Sequence, residues 1–182
     1  DDVLKFMKKD HDLAQAYQAI DRLHGAGLIY DAHIMTGVAG KGRGMENAEA
    51  LAQFLNRTNP AHVVNFSMFL HKEVPLYQDI RQGTFVPADE LETIREEYHL
   101  IERIAPEKAG ANILYDGFHD FIHVRVRGHL PGDKEKMLAK LNGIIQEYEG
   151  KEPVYSFVQG ECPDLEYCDD GKAVWDMDRK TS

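Results

Sequence analysis

Apolar positions recur along the chain at two spacings, and their alternation predicts the order of the elements. Leu13, Tyr17, Ile20 and then Leu23 or His24 lie three to four residues apart, after a candidate cap at Asp10 and before Gly25 and Gly27, which predicts a helix. Residues 28–36 predict a strand, and residues 46–57 a helix with Leu51, Ala52 and Leu55 on one face. "AHVVNFSMFL" predicts a second strand, in which Val64, Phe66, Met68 and Leu70 alternate. Leu91, Ile94, Tyr98 and Ile101 mark another helix, and Glu90, Glu92, Glu96, Glu97 and Glu102 are expected on its solvated face. Phe121 opens a run in which Ile122, Val124 and Val126 alternate with His123, Arg125 and Arg127, a strand with one wet face. After Pro131-Gly132-Asp133, a helix carries Met137, Leu141, Ile144, Ile145 and Tyr148. From Gly150 onward prolines, glycines and acids predict an irregular or partly disordered tail.

Helices alternating with strands over short connections predict a parallel sheet with helical crossovers. The strands at 28–36 and 62–70 are expected to be adjacent and parallel, joined through the helix at 46–57 by a right-handed crossover. Their polar residues carry the first functional expectation. In the first strand Asp31, His33 and Met35 share a face, and in the second Asn65 and Ser67 oppose Val64 and Phe66. Each strand thus has an apolar face for helices and a polar face. A ligand-bearing barrel lumen would satisfy Asp31, His33, Asn65 and Ser67, whereas a dry core would make them costly. In the alternative, Asp31 and His33 sit in water near a strand end.

Composition narrows the partners. The chain has 182 residues, 43% of them hydrophobic and 29% charged, which suits one globular domain. A net charge of -10 argues against nucleic acid or an anionic membrane, since binding either needs a basic surface. No apolar run approaches a membrane span, and two cysteines without a signal peptide point to a reducing cytoplasm. The turn after the first strand holds Gly37, Gly40, Gly42 and Gly44, but neither the P-loop nor the dinucleotide spacing is met, so its simplest role is a turn that needs positive φ angles. The sequence opens on Asp1-Asp2 and passes at once into the helix-like "VLKFMKK", which predicts an excised fragment.

Four stretches resemble, in order, the C-terminal half of radical S-adenosylmethionine (radical SAM) enzymes. The resemblance is to the elongator-three-like, oxygen-independent coproporphyrinogen oxidase-like and methylthiotransferase-like Fe-S oxidoreductases. "DDVLKFMKKDHDLAQAYQAIDRLHGAGL" is similar to the segment after their fourth barrel strand, and "HIMTGVAG" to the fifth-strand motif GxIxG, with His33 standing where that motif begins with Gly. "VPLYQDIRQGTFVPADELETIREEYHLIERI" resembles a later turn and acidic helix, and "RGHLPGDKEKMLAKL" the element that closes the region. The resemblance covers residues 1–145. It implies an α/β fold: the C-terminal half of a partial TIM-type barrel, with a half barrel of βα units over residues 1–110, an added strand and helix over 111–149 and an irregular acidic tail over 150–182.

The same resemblance implies that Met35, Gly37 and Val38 touch the adenosine of S-adenosylmethionine while Asp31, His33, Asn65 and Ser67 face substrate. Such enzymes hold a 4Fe-4S cluster through thiolates spaced CxxxCxxC. Only Cys162 and Cys168 are present here, in the acidic tail, and they are read as free thiols rather than half of a metal site. The chain alone is therefore expected to bind no cluster and to be inactive, and no catalytic residue is assigned. The alternative is a non-catalytic acidic α/β binding or assembly module. A half barrel also leaves a strand edge bare, so either a homodimer paired edge to edge or coverage by the chain's own "FIHVRVR" is expected.

Overall fold

The structure, a computed structural model, describes residues 1–157 and two short strands at 168–169 and 172–173. Its elements are helices α1 (Asp2–Phe6) and α2 (Leu13–Gly25), strand β1 (Asp31–Thr36), α3 (Gly44–Thr58), β2 (His62–Ser67), α4 (Pro75–Gln82), α5 (Glu90–Arg103) and β3 (Ile113–His119). A 3-10 turn (Asp120–Ile122), β4 (Val124–Leu130), α6 (Lys134–Tyr148) and the antiparallel pair β5 (Cys168–Asp169) and β6 (Lys172–Ala173) follow. One mixed sheet runs β1-β2-β3-β4, with β1, β2 and β3 parallel and β4 antiparallel to β3. The expected adjacency of the first two strands is present, with α3 lying between them in sequence.

Local chemistry sets the helix ends. Asp12, rather than Asp10, caps α2: its side chain accepts from the Gln15 N–H, and Gln15 reaches back to the Asp12 N–H. Asp89 caps α5 by accepting from the Glu92 N–H. Along α5, Ile94, Leu100 and Ile101 are fully buried. They form one core with Leu55 of α3, Val63 of β2, Ile113 and Tyr115 of β3, Leu130 of β4 and Leu141 of α6. Each such side chain contributes about 1.5–3 kcal/mol by leaving water. Residues 111–149 thus share the core of residues 1–110, and they supply two strands rather than one.

Several boundaries differ from expectation. The first strand begins at Asp31, leaving Leu28 and Ile29 outside it and exposed. The second ends at Ser67, and Leu70 makes only an isolated parallel bridge to Phe157. Phe121 falls in the 3-10 turn, and His123 takes a left-handed conformation (φ 54°) before β4 starts. Strand β3 and helix α4 have no counterpart in the sequence reading. The segment "ILYDGFH" has apolar residues on both faces and a central glycine, so it lacks period-two alternation. Within the expected irregular tail, Tyr155, Ser156 and Phe157 are buried, and the Leu70 N–H donates to the Ser156 carbonyl. Apart from β5 and β6, residues beyond 157, including Cys162, lie outside the described residues.

"FIHVRVR" does not cover the edge of β1. Its strand portion is β4, which pairs with β3 at the opposite end of the sheet, and β1 has β2 as its single neighbour among the described residues.

Candidate functional site

Register places the two polar faces of the sheet. On the side that carries the core lie Ala32, Ile34 and Thr36 of β1, Val63, Asn65 and Ser67 of β2, Tyr115, Gly117 and His119 of β3, and Val126 of β4. The opposite, open face is a grid of three rows across four strands. Asp31, His62, Leu114 and His129 make the first row, His33, Val64, Asp116 and Arg127 the second, and Met35, Phe66, Phe118 and Arg125 the third. Asp31 and His33 therefore lie on the open face as expected, and both are exposed. Asn65 and Ser67 do not join them. They point into the helix side, where the expectation of a purely apolar face fails, while Val64 and Phe66 occupy the open side.

Most polar groups on the helix side are satisfied by α5, while the Asn65 Oδ1 is buried without a hydrogen-bond partner. Glu90 and Glu97, seven residues apart on one stripe of the helix, hold the His119 imidazole between them. Nδ1 lies 3.0 Å from Glu90 Oε2 and Nε2 lies 3.0 Å from Glu97 Oε2. Exposure is 1% at Glu90 and 0% at both Glu97 and His119. With both carboxylates ionised the ring donates at both nitrogens, which makes His119 an imidazolium. Burial alone would lower its pKa, but the hydrogen bonds and charges of the two glutamates prevail and push it up to about 10. Burial likewise opposes ionisation of Glu90, and the His119 charge with the Ser156 and Ser67 hydroxyls outweighs it and holds the carboxyl below its usual range.

The remaining acceptor positions are filled. Ser67 donates to Glu90 Oε1 at 2.8 Å, and Ser156 donates to the same oxygen. Glu97 Oε1 accepts from the Tyr115 hydroxyl (2.9 Å) and the Asn65 amide (3.1 Å). Burial, with the Glu97 charge beside it, pushes the Tyr115 hydroxyl well up, so it acts as a neutral donor. A Cβ at Gly117 would stand 1.8 Å from Glu97 Oε1, which leaves glycine as the residue that fits under this carboxylate. One imidazolium offsets one of the two carboxylates, and the remaining negative charge is held by the neutral Ser67, Ser156, Tyr115 and Asn65 donors.

A third buried carboxylate, Glu96, anchors the glycine-rich turn. Glu96 Oε2 accepts the Gly37 N–H at 2.9 Å and Oε1 accepts the Asn47 amide at 2.6 Å. Burial is the larger effect on Glu96 and pushes its pKa up to about 7 against those two donors. Glu92 accepts the Gly42 N–H. The Gly40 and Lys41 N–H groups go to the Gly37 and Val86 carbonyls at 3.0 and 2.8 Å. The turn thus directs these amides to α5, to its own backbone and to Val86 in the segment before α5, and a phosphate cradle needs them free. Three of the glutamates expected on a solvated face, Glu90, Glu96 and Glu97, are instead the buried anchors of the sheet and the turn.

The residues expected at adenosine are close together but differently engaged. Gly37 is buried with φ +80°, and a Cβ there would meet Thr93 at 2.8 Å. Met35 and Val38 pack against a second cluster formed by Met68, Leu70, Tyr77, Ile80, Phe85 and others. Val38 also borders a cavity of about 260 Å³ between α1 and the turn, with Val3, Phe6, Phe85, Lys41 and Arg43 around it.

Comparison with family models, with curated proteins and with solved structures gives no match. The site is therefore read from its own chemistry. Among the described residues no three His, Cys, Asp or Glu side chains are arranged to hold a metal ion. Nor is any helix there long and apolar enough to cross a membrane. The donor set does not fit a three-thiolate cluster, because the chain has two cysteines.

On the open face, Asp116 is the pivot. Arg125 donates to its two oxygens from Nε at 2.8 Å and from a terminal nitrogen at 2.7 Å, while Arg127 Nε lies 3.7 Å away. Arg125 holds the Asp116 carboxyl below its usual range, against a smaller effect of burial. The Arg125 guanidinium also covers the Phe118 ring (4.7 Å), which stacks on Phe66 with centroids 5.4 Å apart. The sequence reading assigned none of these residues to a site.

Proposed function

We propose that this chain is the adenosine-side and substrate-side wall of a radical SAM iron-sulfur oxidoreductase. The observation that carries the reading is the one-sided sheet: parallel β1, β2 and β3 have helices on one face and a half-exposed polar and aromatic surface on the other. A wall of a βα barrel has this construction, with its lumen on the uncovered side. The thiolates of a CxxxCxxC motif would have to lie outside these 182 residues. A cluster held by such thiolates would supply the one electron that splits S-adenosylmethionine into methionine and a hydrogen-abstracting 5'-deoxyadenosyl group.

This chain's residues have positioning roles in that reading. Glu96 fixes the backbone at Gly37, which keeps Met35 and Val38 beside the turn as an apolar seat for the adenosine. Asp31 and His33 front the substrate side. Asn65 and Ser67 act from the other face, by tying β2 to Glu97 and Glu90. The alternative, a non-catalytic acidic binding or assembly module, shares this scaffold but needs no nucleoside.

Titration of the isotope-labelled chain with 5'-deoxyadenosine, followed by amide NMR, separates the two. Saturable shifts centred on Met35, Gly37 and Val38 support the proposal. A spectrum unchanged at millimolar nucleoside overturns it in favour of the binding module.

A further inference from the structure

From the open face of the sheet we infer a recognition site for a small planar carboxylate, an aromatic or conjugated acid, seated on Val64, Phe66 and Phe118 with its anion at Arg127. The inference deepens the reading of this face as a substrate side and rests on that reading for its biological sense. Its chemistry stands on the register and the side chains alone.

Charge is distributed unevenly over the grid. The β4 column is His129, Arg127 and Arg125, and the carboxylate opposite it is Asp116. Arg125 is committed to that carboxylate through two short hydrogen bonds and to the Phe118 ring. Arg127 lies 3.7 Å from the same carboxylate, too far for a hydrogen bond, and its side chain is 55% exposed. Two guanidiniums around one carboxylate leave one positive charge uncompensated. In a chain whose net charge is -10, this end of the sheet is a local positive island.

Beside the island lies an apolar floor. Val64, Leu114, Phe66 and Phe118 are half-buried on the open face, and none belongs to the main core. They are covered by no helix of the core. His62 adjoins this floor through its pairing with Leu114, and its Nε2 is shielded from water without a hydrogen-bond partner. A flat apolar body with one carboxylate matches the set: the body against the aromatic pair, and the anion in the planar fork of Arg127. A phosphate monoester or a long polyanion would place further negative charge against Asp116 and Asp31, which flank the floor.

The test uses the full chain and 2-naphthoate as the probe, followed by amide NMR. The expected result is saturable binding with shifts at residues 64–66, 114–118 and 125–129. The neutral analogue 2-naphthamide should bind about tenfold more weakly, and Arg127→Gln should weaken naphthoate by a similar factor while weakening naphthamide much less, as expected for one charge-assisted contact. Equal binding of acid and amide to the unmodified chain overturns the inference, as do shifts confined to residues 35–38 or no binding at millimolar probe. The acid–amide comparison needs no variant, so it holds even if Arg127→Gln folds poorly. Failure here with 5'-deoxyadenosine still shifting Met35, Gly37 and Val38 rejects the carboxylate site alone, and the reverse outcome rejects the adenosine seat alone.

Discussion

The two faces of the sheet carry similar chemical groups and solve different problems with them. On the helix side, Glu90, His119 and Glu97 are sealed from water, and their hydrogen-bonding positions are met by one another and by Ser67, Ser156, Tyr115 and Asn65. On the open side, Asp116 is just as closely bonded to Arg125, yet Arg125 and Arg127 reach solvent. Desolvation makes the difference. A buried network must be complete because each missing partner leaves an unsolvated charge, whereas Asp116, though only 4% exposed, pairs with guanidiniums that solvent screens. Completion on one face marks structure, and surplus charge on the other marks recognition.

The contrast breaks first at Glu97. Glu97→Ala removes the acceptor for His119, Tyr115 and Asn65 together, and should cost about 3–5 kcal/mol, the range for stranding a buried charge. Urea unfolding monitored by circular dichroism measures it. Next, Gly117→Ala drives a methyl into the Glu97 carboxylate and should cost about 1–3 kcal/mol, as overpacking does. Combining it with Glu97→Ala should give much less than the sum, because the clash is then absent.

A pH series sharpens the same comparison. The folded-state pKa of His119 is raised to about 10, so its contribution is full below the ordinary histidine value of about 6.5 and fades as pH climbs toward 10. The stability gap between the unmodified chain and His119→Gln should therefore narrow over that interval. Asp116 has the opposite sign. Its lowered pKa gives a contribution that is present above the ordinary aspartate value and lost on acidification below it. Because its arginine partners are exposed, Asp116→Asn should cost only about 0–1 kcal/mol at neutral pH, the smallest effect of the set. A loss as large as that of Glu97→Ala would erase the distinction between the faces.

Much of the scaffold was legible because period and punctuation agreed. Leu13 to Gly25 and Gly44 to Thr58 carry helical stripes, and the pairing of β1 with β2 follows from an alternation of helix and strand. The site was legible only in part. Glutamates default to solvent, and "ELETIREEYHLIERI" reads as an acidic outer face. The signal against that default was positional: Glu90 stands four residues before Ile94, and Glu97 three after Ile94 and four before Ile101, on one stripe. Asn65 and Ser67 sit on the buried side of β2 for the matching reason, since α5 brings carboxylates to them. Their partners are 32 and 23 residues away, and His119 belongs to a strand that shows no alternation. In the sequence Arg125 and Arg127 read as a wet face, and their surplus charge is apparent only with Asp116 set opposite by the register.

The charge state of His119 tests the central claim most directly, because an imidazolium between two buried glutamates is what makes the helix face a completed network. Imidazole nitrogen NMR on the labelled chain reads it without a variant. The account predicts that both His119 nitrogens carry protons at pH 8 and that the ring titrates near pH 10. A neutral ring with one bare nitrogen at pH 7 would contradict it.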